Sequence, residues 1–406
     1  MTGRLLVLGA SVRALAASAS RSAEARRRFK GGILALDYFG DTDLSVDPRR
    51  ARGGPGPEVT VVSVSRDLGL PRTTAALGRA ALRSDWSALA YTGGLENRPG
   101  LLRLLARRTA QEGHAAAILG NDGAAVAAVR DPRRLFPFLR SRGIPHAAVR
   151  FDAIAGAPWL IKKARSAGGG GVRVPAPGER LRPGEFFQER LPGPAGSAAF
   201  VADGREAVLL GVTEQLAGWE ALGASGYRYA GNIAGPASAF LSAAALDELC
   251  QAARRITERF GLRGLNGLDY IVHLGVPRLI EVNPRWTASM ELIEELDARN
   301  LFDLHLLALD GGVSRSAPVG RRQAAPASAH RFLAKGILYA TAACVAPDPE
   351  ALEALGARDR PARGEQVAPG QPICTLIVEA DTPAACRAAL RNQAADVRST
   401  LAIPAM

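Results

Sequence analysis

The sequence predicts a protein of the α/β and α+β classes, with a doubly wound N-terminal domain, a central domain and a small C-terminal mixed domain. Its 406 residues are enough for about two to four domains. Residues 1–125 alternate strand-like and helix-like stretches, which is typical of a doubly wound sheet. The character changes at Asp131-Pro132, a pair typical of a helix start. We therefore expect domains at residues 1–125, 126–313 and 329–406.

The first domain is expected to contain about five strands with helices between them. Periodicity and turn residues place the strands at 4–9, 32–36, 59–63, 88–92 and 115–119. The helices are expected at 12–28, 72–83 and 101–111. A glycine- and proline-rich stretch, 49–57, predicts a loop. The turn after the first strand, Gly9-Ala10-Ser11, lacks the full G-x-G-x-x-G pattern, so it gives only weak support to a dinucleotide cofactor.

The second and third domains are expected to combine short strands with longer helices. The second should contain a helix at 131–141, strands at 159–163 and 186–191, a glycine loop at 168–171, a helix at 243–260 and a hairpin at 268–282. After an Ala/Pro/Arg stretch at 314–328, the third should contain strands at 336–339 and 373–378 and a closing helix from Pro383.

Composition excludes several classes of protein. Hydrophobic residues make up 47% and charged residues 22% of the chain, which is close to the globular average. No apolar run reaches the roughly 18 residues of a spanning helix, so we expect no membrane partner. Four cysteines, at 250, 344, 374 and 386, share no C-x-x-C spacing. Neither a zinc ribbon nor a disulfide framework is indicated, and a reducing cytoplasm fits best.

The basic charge needs a separate explanation. A formal net charge of +12 could attract nucleic acid. The arginines, however, are scattered, and aromatic residues make up only 5% of the chain, so stacking platforms are scarce and no nucleic-acid partner is expected. Lysine occurs only at 30, 162, 163 and 335. A retained lysine in so arginine-rich a chain indicates a need for a compact ammonium group.

The first candidate site combines two of these lysines with a glycine run. Lys162 and Lys163 end an apolar stretch, and Gly168, Gly169, Gly170 and Gly171 follow. An ammonium and glycine backbone N–H groups together can hold phosphate oxygens. The lysine precedes the glycines, so this is not a Walker loop. A flexible glycine linker is the alternative interpretation.

The second candidate site lies on the expected hairpin. Glu281 and Asn283 are two residues apart and therefore share a face of their strand. A three-residue loop at 274–276 would pair Asp269 with Glu281 across the ladder. Two facing carboxylates and an amide oxygen suit Mg²⁺ with phosphate oxygens completing its shell. An exposed polar strand face is the alternative, and a register slip of one residue would separate the groups.

The third candidate site is the stretch 186–193, which contains Gln188-Glu189-Arg190-Leu191. On an edge strand, its free backbone groups could bind the edge of an adenine ring, and its apolar residues could stack on the ring faces. It could equally be any edge strand.

These three features, in this order, resemble the ATP-grasp superfamily, and the resemblance spans most of the chain. It implies a pre-ATP-grasp domain at 1–125, an ATP-grasp domain at 126–313 and a C-terminal domain at 329–406.

The resemblance also implies roles for the named residues. Lys162 and the glycine run would bind ATP phosphates, residues 188–191 would bind adenine, and Asp269, Glu281 and Asn283 would bind Mg²⁺. Arg285, in Asn-Pro-Arg, is similar to the catalytic arginine of the superfamily. The superfamily commonly has proline at position 163, so the choice between Lys162 and Lys163 stays open, with Lys162 favoured. Where many members of the superfamily have a further ATP-binding lysine, this sequence reads Arg130-Asp131-Pro132-Arg133-Arg134. This leaves the role to an arginine or to no residue, with Arg228 as another candidate.

Within the superfamily, three segments resemble predicted ATP-dependent carboligases, which are similar to tyramine–glutamate ligases of methanofuran and methylofuran assembly. These segments are 37–41, 210–215 and 229–232. The resemblance implies an ADP-forming ligase that joins a small-molecule carboxylate to an amine through an acyl phosphate. The expected substrate-binding residues are Glu214, Gln215, Arg228, Tyr229, Asn232 and Glu291.

Alternative functions are a biotin-carboxylase-like carboligase, an acyl-phosphate-forming kinase and an ATP sensor without turnover. The substrates and the oligomeric state stay open, and a homodimer is one option.

Overall fold

The computed structural model describes residues 3–44, 57–111, 118–152, 158–313 and 331–401. It confirms the expected classes, because a parallel α/β sheet precedes antiparallel sheets with helices packed on them. Most of the expected loop at 49–57, residues 115–117 of the expected fifth strand and the stretch 314–328 lie outside the described residues.

The N-terminal sheet has four parallel strands in the order β3-β2-β1-β4. Its strands are β1 Leu5–Leu8, β2 Ile33–Asp37, β3 Val59–Ser63 and β4 Ala88–Tyr91. The helices around it are α1 Arg13–Arg21, α2 Ala23–Arg28, α3 Thr74–Arg83, α4 Pro99–Gln111 and α5 Gly123–Val129. Strands β1, β2 and β4 are buried along their whole length, as expected for a sheet covered on both faces.

Two elements differ from expectation here. The single helix expected at 12–28 is divided at Ser22, whose hydroxyl accepts a hydrogen bond from the Ala25 N–H and caps α2. In the described part of the expected fifth strand, Ile118 forms only an isolated parallel bridge with Leu89.

The central region begins with helix α6 Pro132–Ser141 and a small antiparallel sheet of order β5-β8-β6-β7. Its strands are β5 Val149–Arg150, β6 Trp159–Lys163, β7 Val172–Arg173 and β8 Glu185–Glu189. The region continues with β9 Ala195–Asp203, β10 Ala207–Ala217, β11 Tyr229–Ala234, α7 Ala243–Phe260, β12 Arg263–His273, β13 Val276–Asn283, α8 Met290–Asp297 and α9 Leu301–Leu309.

The C-terminal strands continue the sheet of the central region. The last elements are β14 Phe332–Tyr339, β15 Cys344–Val345, α10 Pro349–Ala354, β16 Ala357–Arg358, β17 Gln366–Val367, β18 Pro372–Ala380 and α11 Pro383–Ser399. The large sheet has the order β13-β12-β9-β10-β11-β14-β18-β16, so strand β14 pairs directly with β11.

Helix α7 has the bounds that the sequence predicts, because both of its ends carry strong signals. The Ser242 hydroxyl accepts a hydrogen bond from the Ala245 N–H, and Gly261 ends the helix in the left-handed region. Leu249, Ile256 and Phe260 on one face are buried. They belong to a core with the strands of the large sheet.

The hairpin of β12 and β13 pairs Asp269 with Glu281, as predicted, by a different route. The turn has two residues, Leu274 and Gly275, both with positive φ. This two-residue turn alone would place Asp269 opposite Ile280. A register shift next to Asp269 adds one residue to β13, and this bulge restores the pairing with Glu281. The expectation of a three-residue loop was wrong.

A buried ionic cluster joins the N-terminal region, α8 and the C-terminal strands. The Glu291 carboxylate on α8 lies 2.8 Å from Arg13 Nη1, 2.7 Å from Lys335 Nζ and 3.0 Å from Arg358 Nη1. Burial by itself raises the pKa of Glu291, but the charges of Arg13 and Lys335 hold it well below its ordinary value. A carboxylate shared by three cations couples these regions mechanically.

Among the described helices, none has the length and apolar character needed to cross a membrane.

We expect Glu291→Ala to lower the free energy of unfolding by about 3–5 kcal/mol, because it leaves buried cations without their shared anion. Urea unfolding followed by circular dichroism measures the change. Glu379→Ala is the matched control, since Glu379 pairs with Arg331 at the surface and its loss should cost less than about 1 kcal/mol. Equal effects of the two substitutions would contradict the coupling role of Glu291.

Candidate functional site

A cavity of about 880 Å³ lies between the small sheet and the large sheet. It brings together most of the residues that the sequence predicts for a site. Those that line it are Lys162, Lys163, Gly168, Gly169, Gln188, Glu189, Arg190, Leu191, Glu214, Gln215, Tyr229, Asn232, Asp269, Glu281, Asn283 and Arg285. Four predicted residues do not line it: Gly170, Gly171, Arg228 and Glu291.

The lysines are presented by β6. The Nζ atom of Lys162 lies 4.0 Å from Glu281 Oε2, and burial lowers the pKa of Lys162 to about 8. Lys163 also lines the cavity, but its side chain is exposed. The lysine that faces the paired carboxylates is therefore Lys162, and its contact with phosphate stays a prediction.

The glycine loop is held against the start of β11. The Tyr229 N–H donates to the Gly168 carbonyl over 3.1 Å. Gly169 has φ of +78°, and a Cβ atom there would lie 1.8 Å from the Tyr227 carbonyl oxygen. Only glycine can bring the chain this close, so the position of the loop depends on residue 169.

Strand β8 is not an edge strand, which corrects the expectation for residues 188–191. It lies between β5 and β6. The N–H groups of Glu189 and Arg190 donate to the Ala148 and Pro158 carbonyls. These two N–H groups are therefore not available to a ligand. Gln188 is buried, and its amide donates to the Ile280 carbonyl over 3.1 Å.

The paired carboxylates of Asp269 and Glu281 both line the cavity. Burial raises the pKa of Asp269, and hydrogen bonds from Ser197 and Asn283 oppose this shift. The Asn283 Nδ2 atom donates to Asp269 Oδ2 over 2.9 Å. Glu281 forms an ion pair with Arg130. The structure thus places the three predicted metal ligands together.

Arg130 also lines the cavity. Its guanidinium contacts Glu281 and donates to the Ser166 carbonyl over 2.9 Å and the Ala164 carbonyl over 3.3 Å. Arg228, the other candidate of the sequence analysis, lies outside the cavity, where it donates to the Gly370 carbonyl and stacks on Tyr339. Of the arginines named for the role of the superfamily lysine, Arg130 is the one that lines the cavity, and its role there stays a prediction.

Arg285 projects into the cavity from the turn after β13. Its Nε donates to Glu96 over 2.7 Å, its Nη2 to Asn283 Oδ1 over 3.3 Å and its Nη1 to the Trp286 carbonyl over 2.9 Å. The Pro284 carbonyl before it accepts hydrogen bonds from Tyr91 and Asn121. Residues of the N-terminal region therefore fix this turn.

The predicted substrate residues that line the cavity have different hydrogen-bond and ion-pair partners. The Tyr229 hydroxyl donates to Asn232, whose amide donates to Thr213 over 2.9 Å. Glu214 lines the cavity but is ion-paired with Arg387 of α11. Gln215 lines the same wall.

Glu291 does not belong to this wall. Its carboxylate is occupied by Arg13, Lys335 and Arg358, which corrects the expectation that it binds substrate.

The donor set fits a magnesium ion bound together with phosphate. Among the described residues, no group of three or more His, Cys, Asp or Glu side chains is arranged to hold a metal. Asp269 and Glu281 supply two carboxylates and Asn283 an amide oxygen, so non-protein oxygens would have to complete an octahedron. The adjacent Lys162 and Arg130 suit an anionic ligand.

Sequence reasoning missed Glu96, Tyr91 and Asn121, which reach the site from the N-terminal region. The feature of the sequence that could have located them is their position relative to the strands. Glu96 follows the Gly93-Gly94 turn at the carboxyl end of β4. In parallel sheets, ligand-binding residues gather at that edge, where neighbouring connections diverge.

The central region of the chain is similar to a known family. Residues 133–289 match the family model of the ATP-grasp domain. No curated protein matches the chain in sequence.

Solved structures share the fold over the whole chain at low identity. The biotin carboxylase domain of 2-oxoglutarate carboxylase from Hydrogenobacter thermophilus, solved with MgADP, ADP and bicarbonate, has a TM-score of 0.66 at 13% identity, covering 100% of this chain and 91% of that one. Biotin carboxylase from Campylobacter jejuni has a TM-score of 0.63 at 14% identity, covering 99% and 92%. L-amino acid ligase from Bacillus licheniformis has a TM-score of 0.62 at 13% identity, covering 100% of both chains. The chain thus contains a match to the ATP-grasp domain at residues 133–289, and it shares its fold with these solved structures.

Proposed function

We propose that this protein is an ATP-dependent, ADP-forming ligase that joins a carboxylate to an amine. The observation that carries the proposal is the pairing of Asp269 with Glu281 in a cavity where Lys162, Arg130 and Arg285 supply the positive charge. The ATP-grasp domain match and the fold shared with an L-amino acid ligase support it.

The first step of the proposed reaction transfers the terminal phosphoryl group. A carboxylate oxygen of the first substrate attacks the γ-phosphorus of ATP, the bond to the β,γ-bridging oxygen breaks, and ADP leaves. Lys162 and the N–H groups of the glycine loop hold the phosphates. Arg285 offers N–H donors to the transferring phosphoryl group and to the later tetrahedral oxyanion, where negative charge develops.

The second step captures the acyl phosphate. The amine nitrogen attacks the acyl carbon, inorganic phosphate leaves, and the amine releases a proton. The loop at 168–171 excludes water from this intermediate. Asp269, Glu281 and Asn283 would hold Mg²⁺. When bound, this ion would neutralise part of the negative charge of the phosphates.

The substrate classes form the finer part of this proposal. We propose a carboxylate such as glutamate and an amine such as tyramine, as in methylofuran-type cofactor biosynthesis, in a cytoplasmic setting. Among the carboxylates of the cavity, Glu214 is the candidate to bind the ammonium group of the incoming amine. The amine would compete there with Arg387.

A biotin-carboxylase-like reaction is the second candidate. Its support is the shared fold with biotin carboxylases, one of them solved with bicarbonate. In that case bicarbonate would take the place of the organic carboxylate beside Arg285.

A product screen tests the two candidates. Purified protein is incubated with ATP, Mg²⁺ and glutamate against a panel of amines headed by tyramine, and with bicarbonate and biotin in parallel. Phosphate release together with the mass of an amide is expected. ADP formed only with bicarbonate would favour the carboxylase, and bound ATP without any turnover would reject both.

We expect Glu281→Gln to lower ATP turnover about 100-fold, because one carboxylate of the magnesium pair is lost. The affinity for ADP should fall less than about tenfold, since Lys162 and the glycine loop remain. Phosphate release and calorimetric titration measure the two quantities. Glu206→Gln is the control, because Glu206 pairs with Arg254 at the surface. Unchanged turnover in Glu281→Gln would contradict the assignment.

We expect Gly169→Ala to weaken MgADP binding, because its Cβ atom would collide with the Tyr227 carbonyl and displace the loop. A loss of about tenfold corresponds to roughly 1.4 kcal/mol of displaced contacts. Gly170→Ala is the matched control in the same loop, since its Cβ atom would meet nothing closer than 3.7 Å. Titration calorimetry on both variants measures the difference, and equal affinities would show that loop position does not matter for the nucleotide.

A further inference from the structure

Glu96 is a fully buried carboxylate directly behind the cavity. It lies in the short helical turn Leu95–Asn97 after β4, and its side chain has 0% exposure. A buried charge is retained only where paired charges and hydrogen bonds offset its lost hydration. The partners of Glu96 therefore indicate what it does.

Each carboxylate oxygen of Glu96 accepts a hydrogen bond. Oε2 accepts a hydrogen bond from the Gly94 N–H over 2.6 Å, and Oε1 accepts one from Arg285 Nε over 2.7 Å. Gly94 has φ of +108°, a conformation that residues with a Cβ atom rarely adopt. The glycine turn thus folds the carboxylate back on its own backbone and aims its second oxygen at Arg285.

The contacts of Arg285 fix the plane of its guanidinium. Its three bonds, to Glu96, Asn283 and the Trp286 carbonyl, use three of the five N–H groups of an arginine. The other two belong to Nη1 and Nη2, and Arg285 lines the cavity. Glu96 does not line it, so it acts on a ligand only through Arg285.

The same turn also reaches the second cavity arginine. Asn97 Oδ1 accepts a hydrogen bond from Arg130 Nη2 over 3.4 Å. The same turn therefore contacts both arginines at the site.

We infer that Glu96 is a positioning residue, which holds the guanidinium of Arg285 in the orientation that binds the terminal phosphoryl group of a nucleoside triphosphate. The inference rests on the proposed function. It is specific to the γ-phosphate, because the α- and β-phosphates have Lys162 and the glycine loop as separate partners.

The test compares nucleotides that differ in the γ-phosphate. Calorimetry gives the dissociation constants of MgADP and of the magnesium complex of AMP-PNP, a non-hydrolysable ATP analogue, for the full-length wild type, Glu96→Gln, Arg285→Gln and the double variant. We expect Glu96→Gln to weaken AMP-PNP binding about 10- to 100-fold, as for loss of a hydrogen bond to a charged group. ADP binding should stay within about threefold, since its partners are untouched.

The double variant and a buried control separate positioning from folding. If Glu96 acts through Arg285, Glu96→Gln should add nothing to the loss seen in Arg285→Gln. Glu294→Gln is the matched control, because Glu294 is a buried acid that joins α8 to Ser18 and Arg21 of the N-terminal region away from the cavity. It should leave the ratio of the two affinities unchanged.

Each other outcome decides against the inference. Tighter AMP-PNP binding by Glu96→Gln would mean that Glu96 merely damps the charge of Arg285. Additive losses in the double variant, or the same loss in Glu294→Gln, would mean a general structural effect. A wild type that binds neither nucleotide would overturn the proposed function itself, and the inference with it.

Glu96→Asp serves if Glu96→Gln does not fold, as judged by thermal unfolding. It keeps the charge but shortens the side chain by one methylene, so the carboxylate no longer reaches both Gly94 and Arg285. An intermediate loss of AMP-PNP affinity is expected, and wild-type affinity would reject the positioning role.

Discussion

The site depends on the need to pair buried guanidinium groups. Arg285 and Arg130 line the cavity with little exposure, and neither finds its counter-charge on its own element. Arg285 is matched by Glu96 from the N-terminal region, and Arg130 by Glu281 from β13. Because an unpaired buried charge is strongly destabilising, these pairs fix how the regions meet. The two ion pairs therefore hold the regions together and also orient the guanidinium groups at the cavity.

The second determinant is a single extra residue in β13. The two-residue turn at Leu274 and Gly275 sets a register in which Asp269 would face Ile280. The bulge shifts the strand by one residue, which brings Glu281 opposite Asp269 and turns both side chains to the same face. Local strand irregularity thus creates the carboxylate pair, which a regular ladder with this turn would separate.

The sequence predicts the elements with strong local signals and misses those defined by pairing. Helix α7 and strand β6 have the predicted bounds, because Ser242, Gly261 and the apolar run before Lys162 are local features. Strands β9, β10 and β11 were not predicted, since their residues lack a clear period of two.

The cavity residues divide in the same way. Lys162, Asp269, Glu281 and Arg285 were predicted from short motifs. The interior position of β8 and the role of Glu96 depend on contacts between residues far apart in sequence, such as the 189 positions that separate Glu96 from Arg285. Local patterns carry no information about such contacts. Arg228 and Glu291 illustrate the converse, since residues with suitable chemistry are used elsewhere in the fold.

The C-terminal strands contribute to the cavity through the glycine loop. Gly168 is bonded to the backbone of Tyr229, and the Tyr229 carbonyl accepts a hydrogen bond from the Tyr339 hydroxyl over 2.9 Å. Tyr339 in turn lies under the guanidinium of Arg228, which is held by the Gly370 carbonyl. Since β14 also pairs with β11, the surface on which the loop rests is supported from the C-terminal side. The C-terminal region is thus part of the frame that positions the glycine loop.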